Sequence, residues 1–559
     1  MLPTVILPAS ATITPKTEAG PGKQEIIFSA ITGTASRPDT IFLEAKRKSA
    51  ILTFEIAGEG KDQFAIISSD APGASGQSGT NGVSSTIGTN GRSGTNGDFK
   101  ATSGADSPSA AAGTFARSGR NGKAGYNIII VFKPENGLIG ISRARLKALN
   151  AKGEVVNEIA LTGLSTKALE GENEPPLSRV FEALGYQIDL GWTSLANHCK
   201  PERQGDEIAA AMFKKAGKGE VRITAVARYS PDFELPFGYY TNETDGPEKH
   251  LVGTLAKAGN FPEHQTLFPR VAGSTSFDPQ DSRFGFYVSG PDHAAWSEDL
   301  WNMVYHSENV AHATRIYQAI DADNKVLKNA YFVCFEEASN GDYNDYVFLV
   351  ENVKPVHTAF APIFNGKNFE GWDVYHEETG KSDPDKNFRI EDESLHVNGR
   401  QVGYIITEAA YTNYHLKVDF KWGEKRWPPR ENTKRDAGVC YHIAPDAPDK
   451  IWQKCIEYQV QEGDAGDFWL IGNTTIEVDG KPNEPEGYAR IPKKKDAEYP
   501  NGRWNTLEII SYNGKCIHVL NGEVVNYGEN ASIRSGRILL QSEFAEVFYK
   551  NIVIRALPD

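Results

Sequence analysis

The sequence lacks the features of a disulfide-stapled, zinc-binding or membrane-spanning protein. Its 559 residues include five cysteines, an odd number, and no two of them form a Cys-x-x-Cys pair. We therefore expect no disulfide framework and no cysteine zinc site, although Cys440 and Cys455 would pair if their strands were neighbours. No apolar run reaches the ~18–20 residues of a membrane helix. Residues 1–10 are apolar without a preceding basic segment, so no signal peptide is predicted within this chain.

Positive charge is in the minority. Lysine and arginine total 59 against 73 aspartates and glutamates, which gives a formal net charge of −14. A nucleic-acid partner is not expected, because it would require a concentrated basic surface. Signatures of a phosphate-binding loop, a nucleophile elbow and a zinc protease are missing as well. The many carboxylates are compatible with Ca²⁺ binding and with acid–base catalysis.

Glycine is abundant, with 53 residues, and its distribution is uneven. Between residues 73 and 125 it recurs at every third position, with one phase shift. Period three is typical of extended three-fold helices, and the scarcity of proline favours polyglycine-II-like helices over collagen. The alternative is a flexible glycine–serine linker. A helical bundle here would act as a spacer or as an assembly surface between copies of the chain.

The rest of the chain predicts a mainly β, multidomain protein. Short runs rich in Ile, Val, Phe and Thr predict strands throughout, and helical spacing predicts a helix over 177–184 and a second over 206–216. Four parts are expected: an N-terminal β region with the glycine tract (1–135), a β-rich domain with one or two helices (136–353), a linker (354–360), and a C-terminal β-sandwich (361–559).

An acidic segment at residues 335–350 has the composition of a hard-cation site. Oxygen-bearing side chains precede an apolar strand, and Ca²⁺ prefers such ligands. The segment resembles the C-terminal signature of a small calcium-binding β-domain of secreted bacterial proteins, over roughly residues 220–353. The resemblance implies a structural Ca²⁺, and the alternative is a solvated acidic turn. The predicted ligands are Glu336, Glu337, Asp342, Asn344 and Asp345.

The last 200 residues alternate as the strands of a sandwich do. Between residues 455 and 462, Ile456, Tyr458 and Val460 share one face, and Glu457, Gln459 and Gln461 share the other. On the strand near 436–442, the same period would place His442 close to the Glu457 row. Sandwiches of this kind bind sugars on a concave sheet, where amides bind hydroxyls and tryptophans stack on the sugar.

Several long motifs occur in order in this region. They are IFNGKNFEGW at 363–372, RDAGVCYH at 435–442, CIEYQVQEGDAGDFWL at 455–470 and GRILLQSEFAEVFYKNIVI at 536–554. Together they resemble the 3-keto-disaccharide hydrolase family, a concanavalin-like jelly roll, over residues 361–559. The resemblance implies a glycoside oxidised at C3, from which a base removes the C2 proton before β-elimination and addition of water. Family members often carry Ser in place of Ala437 and Gly in place of Phe544.

The resemblance and the strand pattern together suggest site residues. We predict Glu457 as base or metal ligand with His442 as its partner, Gln459 and Gln461 as hydroxyl-binding amides, and Glu543 as a further carboxylate. Predicted substrate-binding residues are Trp427, Arg430, Arg435 and Trp469, with Trp452 as another stacking candidate; the alternatives are core tryptophans and a solvated basic loop. A divalent metal is also compatible with this site.

The expected function is that of a secreted or cell-surface carbohydrate-active protein that cleaves 3-keto-glycosides. The alternative is a non-catalytic surface or filament-forming protein whose C-terminal sandwich binds glycans or mediates assembly. The sequence therefore predicts a carbohydrate partner, with self-association through the glycine tract.

Overall fold

A computed structural model describes most of the chain. The described residues are 25–44, 52–68, 111–112, 116–117, 124–167, 174–191, 199, 203–243, 246–305, 310–336, 338–356 and 360–557. The predicted glycine helices at 73–125 fall almost wholly outside these residues, as does Glu337. The chain divides into two compact units, Met1–Pro175 and Pro176–Asp559.

The N-terminal unit is built from two sheets around one apolar core. Its strands are β1 Glu25–Ile31, β2 Asp39–Glu44, β3 Thr53–Ala57, β4 Phe64–Ser68, β5 Ala111–Ala112, β6 Ala116–Arg117, β7 Ala124–Phe132, β8 Gly140–Leu149 and β9 Val155–Thr166, with a 3-10 helix at Lys61–Gln63. One sheet has the order β1-β9-β8-β3-β5, and the other has β2-β7-β4 with β6 on β7. Phe54, Ile128 and Leu161 from both sheets meet in the core. Strands β8 and β9 therefore belong with the N-terminal strands, beyond the boundary expected at residue 135.

Residues 176–356, here called the middle region, form the first part of the C-terminal unit. Its elements are α1 Leu177–Leu184, β10 Met212–Lys215, β11 Val221–Tyr229, β12 Leu235–Glu243, β13 Gly246–Leu255, β14 Gln265–Leu267, β15 Val271–Gly273, β16 Ser276–Phe277, β17 Gly285–Ser289, β18 Ala294–Trp296, α2 Asp299–Tyr305, β19 Thr314–Ile320, β20 Val326–Phe335, β21 Tyr346–Glu351 and β22 Val353–Val356. The sheets β14-β11-β21-β20-β19 and β15-β13-β12-β17-β18 meet through contacts such as Phe237 with Phe348.

Residues 360–557 form the C-terminal sandwich. Its strands are β23 Ala361–Pro362, β24 Trp372–His376, β25 Phe388–Glu391, β26 Ser394–Val397, β27 Gly403–Thr407, β28 Tyr411–Thr412, β29 Tyr414–Arg426, β30 Gly438–Ile443, β31 Cys455–Gln459, β32 Phe468–Ile471, β33 Glu477–Val478, β34 Lys481–Pro482, β35 Tyr488–Ile491, β36 Asn505–Tyr512, β37 Lys515–Leu520, β38 Glu523–Gly528, β39 Ser535–Ser542 and β40 Ala545–Ala556. The first sheet has the order β25-β26-β40-β29-β36-β37-β38, and the second has β24-β27-β39-β30-β31-β32-β35.

The inner faces of these two sheets enclose the sandwich core. Leu416, Val418 and Phe420 from the first sheet meet Ile456 and Tyr458 from the second, as the alternation in the sequence predicts. The mainly β, multidomain fold class is confirmed by this architecture. No helix among the described residues has the length and hydrophobicity needed to cross a bilayer.

Two local predictions differ from the structure. Helix α1 begins after Pro176 and ends at Gly185, which has a φ of 78°, as predicted. The second predicted helix, over 206–216, is wrong, because Met212–Lys215 is a strand paired with Val353–Val356. That partner strand occupies the start of the predicted linker. The second helix of the middle region is instead Asp299–Tyr305, whose buried side chains pack on the sandwich.

Candidate functional site

The outer face of the second sheet carries the polar row predicted from the sequence. Glu457 on β31 lies opposite Cys440 on β30 and Trp469 on β32, and Gln459 lies opposite Gly438. Ile456 and Tyr458 point the other way, into the core. This outer face therefore presents one carboxylate and one long amide at the centre of the sheet.

Gly438 makes room for the Glu457 carboxylate. A Cβ atom at Gly438 would overlap Glu457 Oε1 and would lie 2.6 Å from Gln541 Oε1. The side chains of Glu457 and Gln541 therefore fold over this glycine from the strands on either side. Gln541 Nε2 donates to Cys440 Sγ at 3.3 Å, and no partner of Gln541 Oε1 is found in the described part of the chain.

Glu457, Gln459 and Gln541 on the outer face are here called the pocket, and a second group of charged residues lies beside it. Arg430 Nη2 lies 2.5 Å from both Asp436 Oδ2 and Glu543 Oε1. Gln461 Nε2 donates to the same Asp436 oxygen at 2.8 Å. One guanidinium thus links two carboxylates, and both of these act electrostatically on Glu457.

The three carboxylates resist ionisation. Burial first, and then Cys440, Glu543 and Asp436, raise the pKa of Glu457 well above its ordinary value, although a hydrogen bond with Gln541 opposes the shift. Burial and the Asp436 charge raise the pKa of Glu543 to about 7, against the opposing effect of Arg430. Burial also raises the pKa of Asp436. Burial therefore favours the protonated form of all three carboxyl groups, and Arg430 opposes this effect at Glu543 and Asp436.

The predicted stacking residues take different positions. Trp469 stands beside Glu457 on the sheet, and its buried Nε1 has no hydrogen-bond partner among the described residues. Trp427 is half-buried, donates Nε1–H to the Asn398 carbonyl oxygen at 3.1 Å, and lies under the Arg400 guanidinium. Trp452 is 38% exposed on the loop before β31. Trp469 is therefore the tryptophan nearest the carboxylates.

His442 is not part of this pocket, so its predicted proximity to Glu457 is wrong. The pairing of β30 with β39 shifts register between Cys440 and Ile443, and His442 takes a φ of 62°. This irregularity turns the imidazole inward, where Nε2 lies 2.9 Å from Ser511 Oγ and Nδ1 lies 3.0 Å from the Ile533 carbonyl oxygen. Burial lowers the pKa of His442 to about 4.

Two other charged side chains of the sandwich, Arg435 and Glu546, are held by contacts with neighbouring groups. Arg435 pairs with Glu462 at 3.1 Å and donates to the Gly423 carbonyl oxygen at 3.0 Å. Glu546 faces away from Glu543 and accepts hydrogen bonds from His396 and from the backbone N–H groups of residues 424 and 425.

The sequence-based prediction missed Asp436, Gly438 and Gln541. Asp436 adjoins Arg435 in a motif already noted, but its contact with Arg430 depends on the path of the loop. Gln541 lies two residues before Glu543, and extending the period-two reading through β39 would have placed it on the outer face with Leu539. Phe544, beside Glu543, has a φ of 58°, and its carbonyl oxygen accepts the backbone N–H of Trp427 at 2.9 Å.

The acidic segment of the middle region brings three of its predicted ligands together. Glu336, Asp342 and Asp345 each offer an oxygen atom, and these atoms lie within 4.8 Å of one another. Glu336 Oε2 also accepts the backbone N–H groups of residues 341, 342 and 343 at 3.0–3.2 Å. Burial and the Asp342 charge raise the pKa of Glu336 to about 7. The loop thus has a concentrated negative charge, although backbone donors neutralise part of it. Asn344 is buried beside these residues in the chain.

Comparison with known proteins concerns the sandwich. No curated protein matches the sequence. Similar solved structures include a Parabacteroides distasonis protein provisionally described as a glycosyl hydrolase (21% identity, 35% of this chain, 94% of that chain, TM-score 0.26). Others are the carbohydrate-binding module CBM66 from Bacillus subtilis (10% identity, 33% and 96%, TM-score 0.24) and a Bacillus licheniformis β-glucanase (10% identity, 36% and 99%, TM-score 0.24). Residues 359–555 match the family model of the 3-keto-alpha-glucoside-1,2-lyase-like domain, which confirms the resemblance seen in the C-terminal motifs.

Proposed function

We propose that the outer-face pocket of the C-terminal sandwich cleaves 3-keto-glycosides by β-elimination and hydration. The family match supports a carbohydrate-active protein. The observation that carries the finer proposal is the pair Glu457 and Glu543, two neighbouring carboxyl groups of which Glu543 pairs with Arg430 and Glu457 pairs with no described cation. Such a pair suits a reaction that needs one base and one acid.

The proposed roles follow from the two environments. Glu543, held by Arg430 through Oε1, takes the C2 proton with its other oxygen, and the electrons move onto the C3 carbonyl oxygen as an enolate. When the ketone re-forms, the bond from C1 to the glycosidic oxygen breaks, and protonated Glu457 donates its proton to that oxygen. Glu457 then takes a proton from water, the hydroxyl bonds to C1, and Glu543 returns its proton to C2.

These roles revise the sequence-based assignment of Glu457 as the base. Burial keeps the proton on Glu457, so it suits donation to the leaving oxygen. In this proposal, Gln459, Gln541 and the Trp469 Nε1–H bind sugar hydroxyls. A divalent metal beside these carboxylates stays a prediction.

The test is incubation of the full chain with a 3-keto-glucoside, following release of 3-keto-glucose or its 2-hydroxy-enone. Glu457→Gln and Glu543→Gln should each lower turnover by roughly 10²–10⁴-fold, the usual contribution of general acid–base groups. Glu408→Gln, an exposed carboxylate beyond β27, is the matched control and should leave turnover unchanged. Turnover that survives in both site variants would refute these roles.

Glycan binding without chemistry is the second candidate function. Phe544 favours it, because a bulky residue beside Glu543 holds a left-handed backbone conformation, with a φ of 58°. Saturable glycan binding without product from the 3-keto-glucoside would support this candidate. Location at the cell surface or outside the cell remains part of both proposals.

We also propose a structural Ca²⁺ at Glu336, Asp342 and Asp345. The support is the clustering of their oxygens and the raised pKa of Glu336, a charge that a cation would compensate. Adding Ca²⁺ to chelator-treated protein should raise the thermal midpoint, and Glu336→Gln should abolish that response. A midpoint that does not respond to Ca²⁺ would contradict the site.

A further inference from the structure

The loop between β30 and β31, residues 444–454, lies against part of the outer face of the second sheet. Ala447 packs on an apolar cluster formed by Tyr404, Ile406, Cys440, Ile443, Cys455, Ile471 and Leu539. These residues alternate with the core residues of the same strands, so they belong to the outer face. Cys440, Cys455 and Leu539 are nevertheless at most 3% exposed. The part of the outer face that these residues form is therefore buried.

A hydrogen bond across the sheet holds this cover in place. Gln453, which is 2% exposed, donates from Nε2 to the Tyr404 hydroxyl at 2.8 Å. Tyr404 is on β27, and Gln453 precedes β31, with β39 and β30 between those strands. Three inter-strand spacings amount to about 14 Å, so the two side chains must extend over the face to meet. Asp449 of the same loop also pairs with Lys381 at 3.3 Å, an exposed and weaker contact.

The polar half of the face is narrow as a result. Glu457, Gln459 and Gln541 are each only 5–6% exposed, although they line the sheet surface. The linked pair Gln453–Tyr404 bounds this polar half on one side, and the Arg430–Asp436–Glu543 group borders it on another. A glycan that continued in both directions from a sugar bound at Glu457 would need an open cleft at both ends.

We propose that the 444–454 loop, held by the Gln453–Tyr404 hydrogen bond, makes the site a blind pocket that accepts a chain-terminal sugar and rejects internal sugars of a polysaccharide. This inference rests on the proposed function for its reaction, because it names the kind of glycoside that reaches Glu457. Gln453 and Tyr404 are specificity-determining residues here, and neither takes part in the chemistry.

The test compares linear and cyclic glucans of equal size and linkage. Maltohexaose and cyclomaltohexaose contain the same sugars, but the cyclic member has no terminal residue; linear and cyclic β-1,2-glucans form a second pair. Binding to the full chain is measured by ligand-observed NMR, together with inhibition of 3-keto-glucoside turnover. The linear member of at least one pair should bind at least about tenfold more tightly than its cyclic counterpart.

Variants show whether the loop causes the discrimination. Gln453→Ala and the milder Tyr404→Phe should reduce the linear-to-cyclic ratio, while Lys494→Ala, which removes an exposed ion pair elsewhere in the sandwich, should leave it unchanged. Equal binding within both pairs, no binding in either, or a ratio that neither variant changes would overturn the inference. Lack of 3-keto-glucoside turnover with the ratio intact would instead refute only the proposed chemistry.

Discussion

The two outer faces of the C-terminal sandwich differ in what covers them and in how their buried carboxylates are compensated. On the first sheet, Ile510, Ile517 and Val519 are packed beneath Trp301 and other apolar side chains of the middle region. On the second sheet, the comparable central position is occupied by Glu457 and its neighbouring amides. One face is a structural interface within the chain, and the other retains a polar pocket.

The carboxylates show the same contrast. Glu508 on the first sheet lies 2.6 Å from His415 and 2.9 Å from Lys417, and these contacts lower its pKa despite burial. Glu457 on the second sheet has no cationic partner within ion-pair distance among the residues that the structure describes, and its pKa is raised. Removing one partner of a buried ion pair destabilises a fold, whereas a buried carboxyl group with a raised pKa is typical of a functional site.

The largest expected effect comes from disrupting the outer face of the first sheet, here called the covered face, where the middle region packs on it. Trp301 is fully buried, donates Nε1–H to Asn242 Oδ1 at 3.1 Å, and meets the Tyr512 ring at 5.3 Å. Trp301→Ala should lower the free energy of unfolding by about 3–5 kcal/mol, the usual cost of a large cavity. Urea unfolding measures this, with half-buried Trp504→Ala as the control. Equal, small losses in both variants would show that the interface contributes little.

The sequence predicted the outward polar residues of the second sheet, but it did not predict what covers the first sheet. Alternation at 455–459 identified a sandwich strand, because one face of that strand is uniformly apolar. It also placed Glu457 and Gln459 outward correctly. The packing of the middle region on the first sheet was not predictable. Ile510 and Ile517 are apolar, and the sequence does not show whether such residues contact the sandwich core or another region of the chain.

Local irregularities account for the remaining errors within the site. Period two holds only while a strand stays regular, and the bulge after Cys440 reverses the side of His442. Arg430 and Asp436 lie on a loop that has no periodic sequence pattern, and Glu543, which Arg430 contacts, lies more than a hundred positions later in the chain. The family resemblance supplied the type of chemistry, but only the structure distinguished the proton affinities of Glu457 and Glu543.

A smaller effect should come from pH, and His312 in the middle region contributes to it. His312 lies between Asp299, at the start of α2, and Glu207, at 2.7 and 2.9 Å. Burial opposes its charge, but these two carboxylates outweigh burial and raise the pKa of His312 to about 9 from its ordinary value of 6.5. Its stabilising contribution is therefore complete below pH 6.5 and is lost as pH rises toward 9.

The expected loss over that window is about 2–3 kcal/mol in the free energy of unfolding. Chemical denaturation at pH 6 and pH 9 measures it, and His312→Gln should reduce the difference between the two pH values by about that amount. A pH dependence that persists unchanged in His312→Gln would place the titrating group elsewhere.

The finest comparison uses one glycine from each sheet. A Cβ at Gly438 would overlap Glu457 Oε1, and a Cβ at Gly423 would overlap Glu546 Oε2, so each glycine leaves space for one carboxylate. Gly423→Ala should push Glu546 from the N–H groups of residues 424 and 425 and cost about 1–2 kcal/mol of stability. Gly438→Ala should cost less, because Glu457 is the mobile end of a side chain without an ion-pair partner.

For turnover of the 3-keto-glucoside, the order should reverse. Gly438→Ala displaces the proposed acid and should reduce turnover by about 10–100-fold, since a displacement near 1 Å is enough for a loss of that size. Gly423→Ala should leave turnover of the folded protein unchanged, because Glu546 lies on the first sheet and faces away from Glu543. Thermal unfolding and turnover measured on both variants separate the two faces: a Gly438→Ala protein that is unstable but fully active would mean that Glu457 supports the fold and not the chemistry.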